Sequence, residues 1–150
     1  MTRTACLLLG MALLLAQAAC TAGTNPTATP AATSHVELDI FSGLPNPTWE
    51  LSAADTAALT RMIGSLTQSP AVDLPSPLGY RGFVVSVDEP ESGSAATIMA
   101  YQGIVEYRGH ETKCYADPDK LVERWLLATA RPYIDSQLYD SLLVEIEKKN

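Results

Sequence analysis

YRGFVVSVDEPESGSAATIMAYQGIVEYRGHETKCY, residues 80–115, divides itself into short apolar runs separated by polar turns. Tyr80 to Val87 predicts one strand, with Phe83, Val85 and Val87 on one face and Val84 and Ser86 on the other. Asp88-Glu89-Pro90-Glu91-Ser92-Gly93-Ser94 is a polar turn. Ala96 to Tyr101 predicts a second strand, Ile104 to Tyr107 a third and Glu111 to Tyr115 a fourth, with Gly103 and Gly109 at the bends. Intervals this short allow hairpins, whereas a parallel crossover needs a dozen or more residues. The stretch therefore reads as an antiparallel meander.

Toward the N-terminus, Val36-Glu37-Leu38-Asp39-Ile40-Phe41 alternates apolar and acidic residues. It reads as a half-buried strand with Val36, Leu38 and Ile40 inward and Glu37 and Asp39 in solvent. Leu44-Pro45-Asn46-Pro47-Thr48-Trp49-Glu50 comes next; its two prolines fix φ and cannot donate hydrogen bonds, so an irregular, rigid passage is expected. Ser52 then predicts an N-cap, with Asp55 as the acidic partner of a variant capping box. Ala58, Leu59, Met62, Ile63 and Leu66 recur at helical spacing, and the helix should end near Leu66 or Thr67. Pro70, Pro75, Pro77 and Gly79 mark the loop that leads into the meander.

Toward the C-terminus, Asp117-Pro118 predicts an N-cap followed by proline in the first helical position. Leu121, Val122, Trp125, Leu126 and Thr129 continue that helix until Pro132. Asp135 or Ser136 caps the last helix, whose buried side is Leu138, Leu142, Leu143 and Ile146. The order is β-α-β-β-β-(β)-α-α. The architecture expected from it is α+β: an antiparallel sheet of four to five strands packed against two or three helices.

The first residues are a segment of another kind. Arg3 precedes CLLLGMALLLA (6–16), an uncharged run too short to cross a bilayer and of the length of a signal-peptide core. Residues 16–20 allow two cleavages. Ala16-x-Ala18 is the small-x-small pattern of ordinary secretory processing. Ala18-Ala19-Cys20 resembles the end of the bacterial lipoprotein signal, although Gln17 stands where that motif carries an aliphatic residue. The resemblance implies that residues 1–19 are removed and that Cys20 becomes the lipid-bearing first residue. Residues 20–34 are uncharged and rich in Thr, Ala and Pro, a composition that cannot offset the entropy of ordering. They predict a tether reaching roughly 45 Å at about 3.3 Å per residue. Residues 35–150 are then one globular domain.

Cysteine use separates the two cleavages. Acylation consumes Cys20 and leaves Cys114 as a lone thiol, whereas cleavage after Ala18 leaves Cys20 free to pair with Cys114 in an oxidising compartment. The whole chain carries a formal charge of −7, and loss of Arg3 leaves nine basic residues against seventeen acidic ones, or −8. A field of that sign argues against nucleic acid as a partner.

No motif supports catalysis. His110-Glu111-Thr112-Lys113-Cys114 begins like the zinc metalloprotease motif, but Cys114 stands where the second His is needed and the segment reads as strand. Strand geometry puts His110 and Cys114 roughly 13 Å apart, too far to share a metal. Lys113 lies on the opposite face and does not activate the thiol. Asp88, Glu89 and Glu91 do not match the spacing of a calcium loop. Glu106 and Glu111 fall within reach of each other across a hairpin, as carboxylates do in any small acidic domain. No cofactor is called for.

The candidate recognition loop is SGLPNPTW (42–49) with Asn46 and Trp49, joined by Arg81 in LGYRGF (78–83). Trp49 fits either an exposed anchor on a preorganised loop or a plug in the core. Its place between the prolines and the Ser52 cap favours the plug, pinning the first strand to the helix. Both stretches resemble uncharacterised small secreted bacterial proteins, a resemblance that implies no activity. The expectation is a lipid-anchored binding module of the cell envelope, attached to the membrane through Cys20. The alternative is a small secreted hydrolase or enzyme inhibitor, soluble in the periplasm or outside the cell.

Overall fold

Four strands carry the 80–115 stretch, as its punctuation predicts. A computed structural model describes residues 33–72, 78–89 and 94–148. In chain order the elements are β1 (Ser34–Leu38), β2 (Thr48–Leu51), α1 (Ala53–Ser65), β3 (Thr67–Ser69), β4 (Phe83–Glu89), β5 (Ser94–Tyr101), β6 (Ile104–Arg108), β7 (Thr112–Ala116), α2 (Leu121–Ala130) and α3 (Ser136–Glu147). All seven strands form one sheet in the order β2-β1-β4-β5-β6-β7-β3, and every neighbouring pair is antiparallel. The fold is α+β, with three helices among the described residues.

The expected four to five strands fall short of the seven. Both additions are edge strands, β2 with four residues and β3 with three. The irregular passage expected over residues 44–50 ends early: both prolines precede β2, and beyond Pro47 each residue can pair. Thr67-Gln68-Ser69 shows no apolar alternation; β7 recruits it as a polar edge.

Cross-strand register assembles the core. Leu38, Phe83, Ala100, Val105 and Tyr115 lie side by side across five strands, and Val36, Val85 and Ile98 form the adjacent row. Leu59 and Ile63 of α1, Val122, Leu126 and Leu127 of α2, and Leu142 and Ile146 of α3 pack onto this face. Each such side chain, fully buried, contributes about 1.5–3 kcal/mol relative to exposure. The opposite face carries Glu37, Val84, Met99, Glu106 and Cys114 in a matching row.

The helix ends show how local chemistry sets the boundaries. Ser52 Oγ accepts from the Asp55 amide at 3.1 Å while its hydroxyl donates to the Asp55 carboxylate at 2.6 Å. Asp135 caps α3 by accepting from the Leu138 amide at 2.8 Å. Asp117 caps α2, but from further away than expected. Pro118 and Asp119 form a turn, Lys120 sits in the left-handed region, and the helix begins at Leu121. The buried Asp117 carboxylate reaches over that turn to the Leu121 and Val122 amides at 3.0 and 2.8 Å.

Candidate functional site

At the C-terminal end of β1 the chain leaves the sheet at Asp39 and returns at Pro47, where the Leu38 amide donates to the Pro47 carbonyl at 2.9 Å. The eight residues from Asp39 to Asn46 belong to no strand, so beyond Asp39 their backbone turns to side chains for partners. Asn46 does much of this. Its Oδ1 accepts from the amides of Ile40 and Phe41 at 3.1 and 2.8 Å. Its Nδ2 donates to Glu37 Oε1 at 2.7 Å and to Asp39 Oδ1 at 3.3 Å.

Arg81 closes the other side. Its backbone amide donates to the Asp39 carbonyl at 2.8 Å, and the Asp39 amide donates to the Gly82 carbonyl at 3.0 Å. The guanidinium forks onto the Asp39 carboxylate, with Nε at 3.0 Å from Oδ2 and Nη2 on Oδ1. It also donates to the Phe41 and Gly79 carbonyls and to Ser42 Oγ, at 3.2, 3.3 and 3.4 Å. Those five contacts match the five donors that a guanidinium owns. The bond to Asp39 raises the guanidinium pKa above its ordinary value. A bidentate Arg–carboxylate pair fixes geometry as well as charge. The loop is therefore held from inside by Asn46 and from outside by Arg81, through the shared Asp39.

What this lattice presents is apolar. Phe41 is 36% exposed, Leu44 68% and, on the neighbouring loop, Leu78 93%. Beside them runs a cleft of about 390 Å³ lined by Ile40, Leu78, Tyr80, Tyr101, Leu138 and Leu142. Tyr80 makes edge-to-face contacts with Phe83 at 5.9 Å and Tyr101 at 5.7 Å. Its hydroxyl donates to Glu123 Oε1 at 2.8 Å, and Glu123 Oε2 accepts from the Gly103 amide at 3.0 Å. Burial first, and the Glu123 charge second, push the Tyr80 phenol well above its ordinary pKa. Burial also raises the pKa of the Tyr101 phenol.

Two glycines make this end of the sheet possible. Gly82 has φ +105, and a Cβ there would lie 2.4 Å from the Ala100 carbonyl oxygen. Gln102 and Gly103 both have positive φ, the two-residue turn that joins tightly paired strands. A Cβ at Gly103 would meet the Asp117 carbonyl oxygen at 2.8 Å.

Of the three residues singled out from sequence, Asn46 and Arg81 meet through Asp39, while Trp49 is elsewhere. The indole is buried under the sheet edge at 4% exposure, edge-on to Phe83 and stacked on Tyr133 at 6.0 Å. Its Nε1 donates to Thr129 Oγ1 at 3.0 Å. Trp49 is a plug, not a surface anchor.

Sequence reading passed over Asp39 and Glu123. Asp39 looked like a solvent-facing acid in an alternating strand, but β1 ends at Leu38 and frees it to turn inward. Glu123 precedes Leu126, Leu127 and Ala130 by three, four and seven residues, all of them buried, so it continues the packed stripe of α2.

The remaining candidates separate. His110 is exposed in the turn before β7. Cys114 is a buried free thiol on β7, the second strand from the edge. Glu106 pairs with Arg108 and Glu111 with Lys113, not with each other. Glu91 and Cys20 lie outside the described residues. Among the described residues there is no group of three or more His, Cys, Asp or Glu able to hold a metal, and no helix long and apolar enough to cross a membrane. No family model, curated protein or solved structure matches the chain.

Proposed function

We propose that the chain is an exported, lipid-anchored binding module of the cell envelope, non-catalytic, with its recognition end at the loop 41–46 and the neighbouring Leu78. One observation carries the binding reading. The Asn46–Asp39–Arg81 lattice spends at least eight side-chain hydrogen bonds on holding a loop whose outward groups are Phe41 and Leu44. A loop already fixed in one conformation loses little entropy when it binds. Position supports the same reading, because the tether joins β1 at Ser34 and the loop leaves its other end. The anchor rests on the charged start, the apolar run and Cys20.

Mass spectrometry of the mature N-terminus tests the anchor: acylated Cys20 is expected, and an unmodified Ala19 N-terminus contradicts it. Native electrophoresis of mildly solubilised envelopes tests the binding. The chain should migrate in a complex that Leu44→Asp releases, and a wild-type chain that runs as a monomer contradicts the reading.

A further inference from the structure

The sheet ends in two unlike edges. β3 offers Thr67-Gln68-Ser69, three polar residues. β2 offers a pairing edge with a cleft beside it. Leu38 and Pro47 form a directly bonded pair, and the antiparallel ladder repeats that arrangement every second residue, at Val36/Trp49 and Ser34/Leu51. Trp49 and Leu51 thus turn their backbone groups toward β1. Thr48 and Glu50 turn theirs outward, where no strand pairs with β2 among the described residues. On the helix side of this edge lies a cleft of about 450 Å³, walled by Trp49, Leu51, Ala128, Pro132 and Tyr133. Tyr133 remains 54% exposed. The rim carries Glu50 and Asp55, and the Glu50 carboxylate stays 65% exposed although His35 Nδ1 contacts it at 2.8 Å. Arg131, also on the rim, is turned over the Tyr139 ring, 4.1 Å from its centroid.

We infer that the outer edge of β2 is a strand-addition site for an extended segment of a partner protein that alternates basic and apolar residues. The segment pairs antiparallel with β2, its main chain bonding to Thr48 and Glu50. The side chain opposite Trp49 enters the cleft. Those opposite Thr48 and Glu50 fall on the uncovered face, where a basic residue meets the Glu50 carboxylate. This is the usual division of labour in strand addition: main-chain bonds hold the peptide and alternate pockets select it. Charge favours such a partner over a second copy of the chain, which carries −7 and brings its own Glu50 to the same edge.

The probe is an acetylated, amidated heptapeptide alternating lysine and leucine, added to the folded chain while amide exchange is followed by NMR. Protection of the Thr48 and Glu50 amides is expected, with Gln68 on the opposite edge unchanged. The residues that bond to Thr48 and Glu50 are the lysines. N-methylating their backbone nitrogens should weaken binding on the order of tenfold or more, whereas N-methylating the leucines leaves affinity within about threefold. Glu50→Lys, at an exposed position, should lose the lysine peptide and gain its glutamate–leucine counterpart. No protection at about 1 mM peptide, equal loss from both methylated forms, or unchanged preference in Glu50→Lys overturns the inference. So does protection of Thr48 and Glu50 that rises with protein concentration and without peptide, which assigns the edge to a second copy.

Discussion

On one side of Pro47 the chain lies outside the sheet, and on the other side it is buried within four residues. Leu44 and Pro45 stand in solvent, while Trp49 and Leu51 are 4% and 3% exposed. The difference lies in what holds each half. After Pro47 the ladder with β1 fixes the phase, so alternate side chains must enter the core and their stability comes from buried area. Before Pro47 there is no ladder, and directional bonds from Asn46 and Arg81 take its place. One half is rigid because it is packed, the other because it is tied. A packed half fails when volume is removed, and a tied half fails when a single donor or acceptor is lost.

The largest effect should come from the packed half. Trp49→Ala empties a large aromatic site between Phe83 and Tyr133 and removes the indole bond to Thr129, and should cost about 3–5 kcal/mol in denaturant unfolding. A loss under about 1 kcal/mol would break the distinction at its stronger end.

Next comes the support beneath the cleft. Tyr80→Phe leaves a buried Glu123 oxygen without its donor, and should cost about 1–3 kcal/mol at neutral pH. The pH dependence sharpens this. Because the folded phenol holds its proton above the ordinary value of 10.0, its contribution is full below pH 10 and declines as the unfolded chain ionises above it. Wild type should therefore lose stability faster than Tyr80→Phe in strong alkali, and the two curves should converge. Parallel curves contradict the placement of Tyr80.

Asn46→Ala tests the tied half. Removing four bonds from a partly exposed loop should cost about 1–2 kcal/mol, with faster amide exchange at Ile40 and Phe41 and little change at Trp49. Faster exchange at Trp49 as well would show that the two halves are one unit.

Much of the fold was legible because periodicity is a strong signal over long elements. The meander, α1 and α3 emerge from alternation or helical spacing together with Ser52 and Asp135. β2 and β3 were missed for a physical reason: three or four residues carry too little pattern, and an edge strand needs only a neighbour with open backbone groups. The α2 start was displaced because Asp117 has reach enough to cap over a turn. At the site, the proline-flanked Asn46 and the lone Arg81 were conspicuous in sequence, but the hub that joins them was not. Asp39 obeys the alternation of a strand that stops one residue before it. Trp49 lies inward as its position before the Ser52 cap implies, because pleating beyond Pro47 turns its indole to the core.

The smallest expected effect on stability carries the most weight for function. Leu44→Asp changes only an exposed side chain and should shift unfolding by less than about 0.5 kcal/mol. The direct measurement is photo-crosslinking from residue 44 in the native cells, with residue 86 on the uncovered sheet face as reference. A discrete adduct from position 44 that is absent from position 86, and that disappears when Arg81→Ala unties the loop, is the predicted result. The same adducts from both positions, or none from position 44, would contradict a recognition role for the loop.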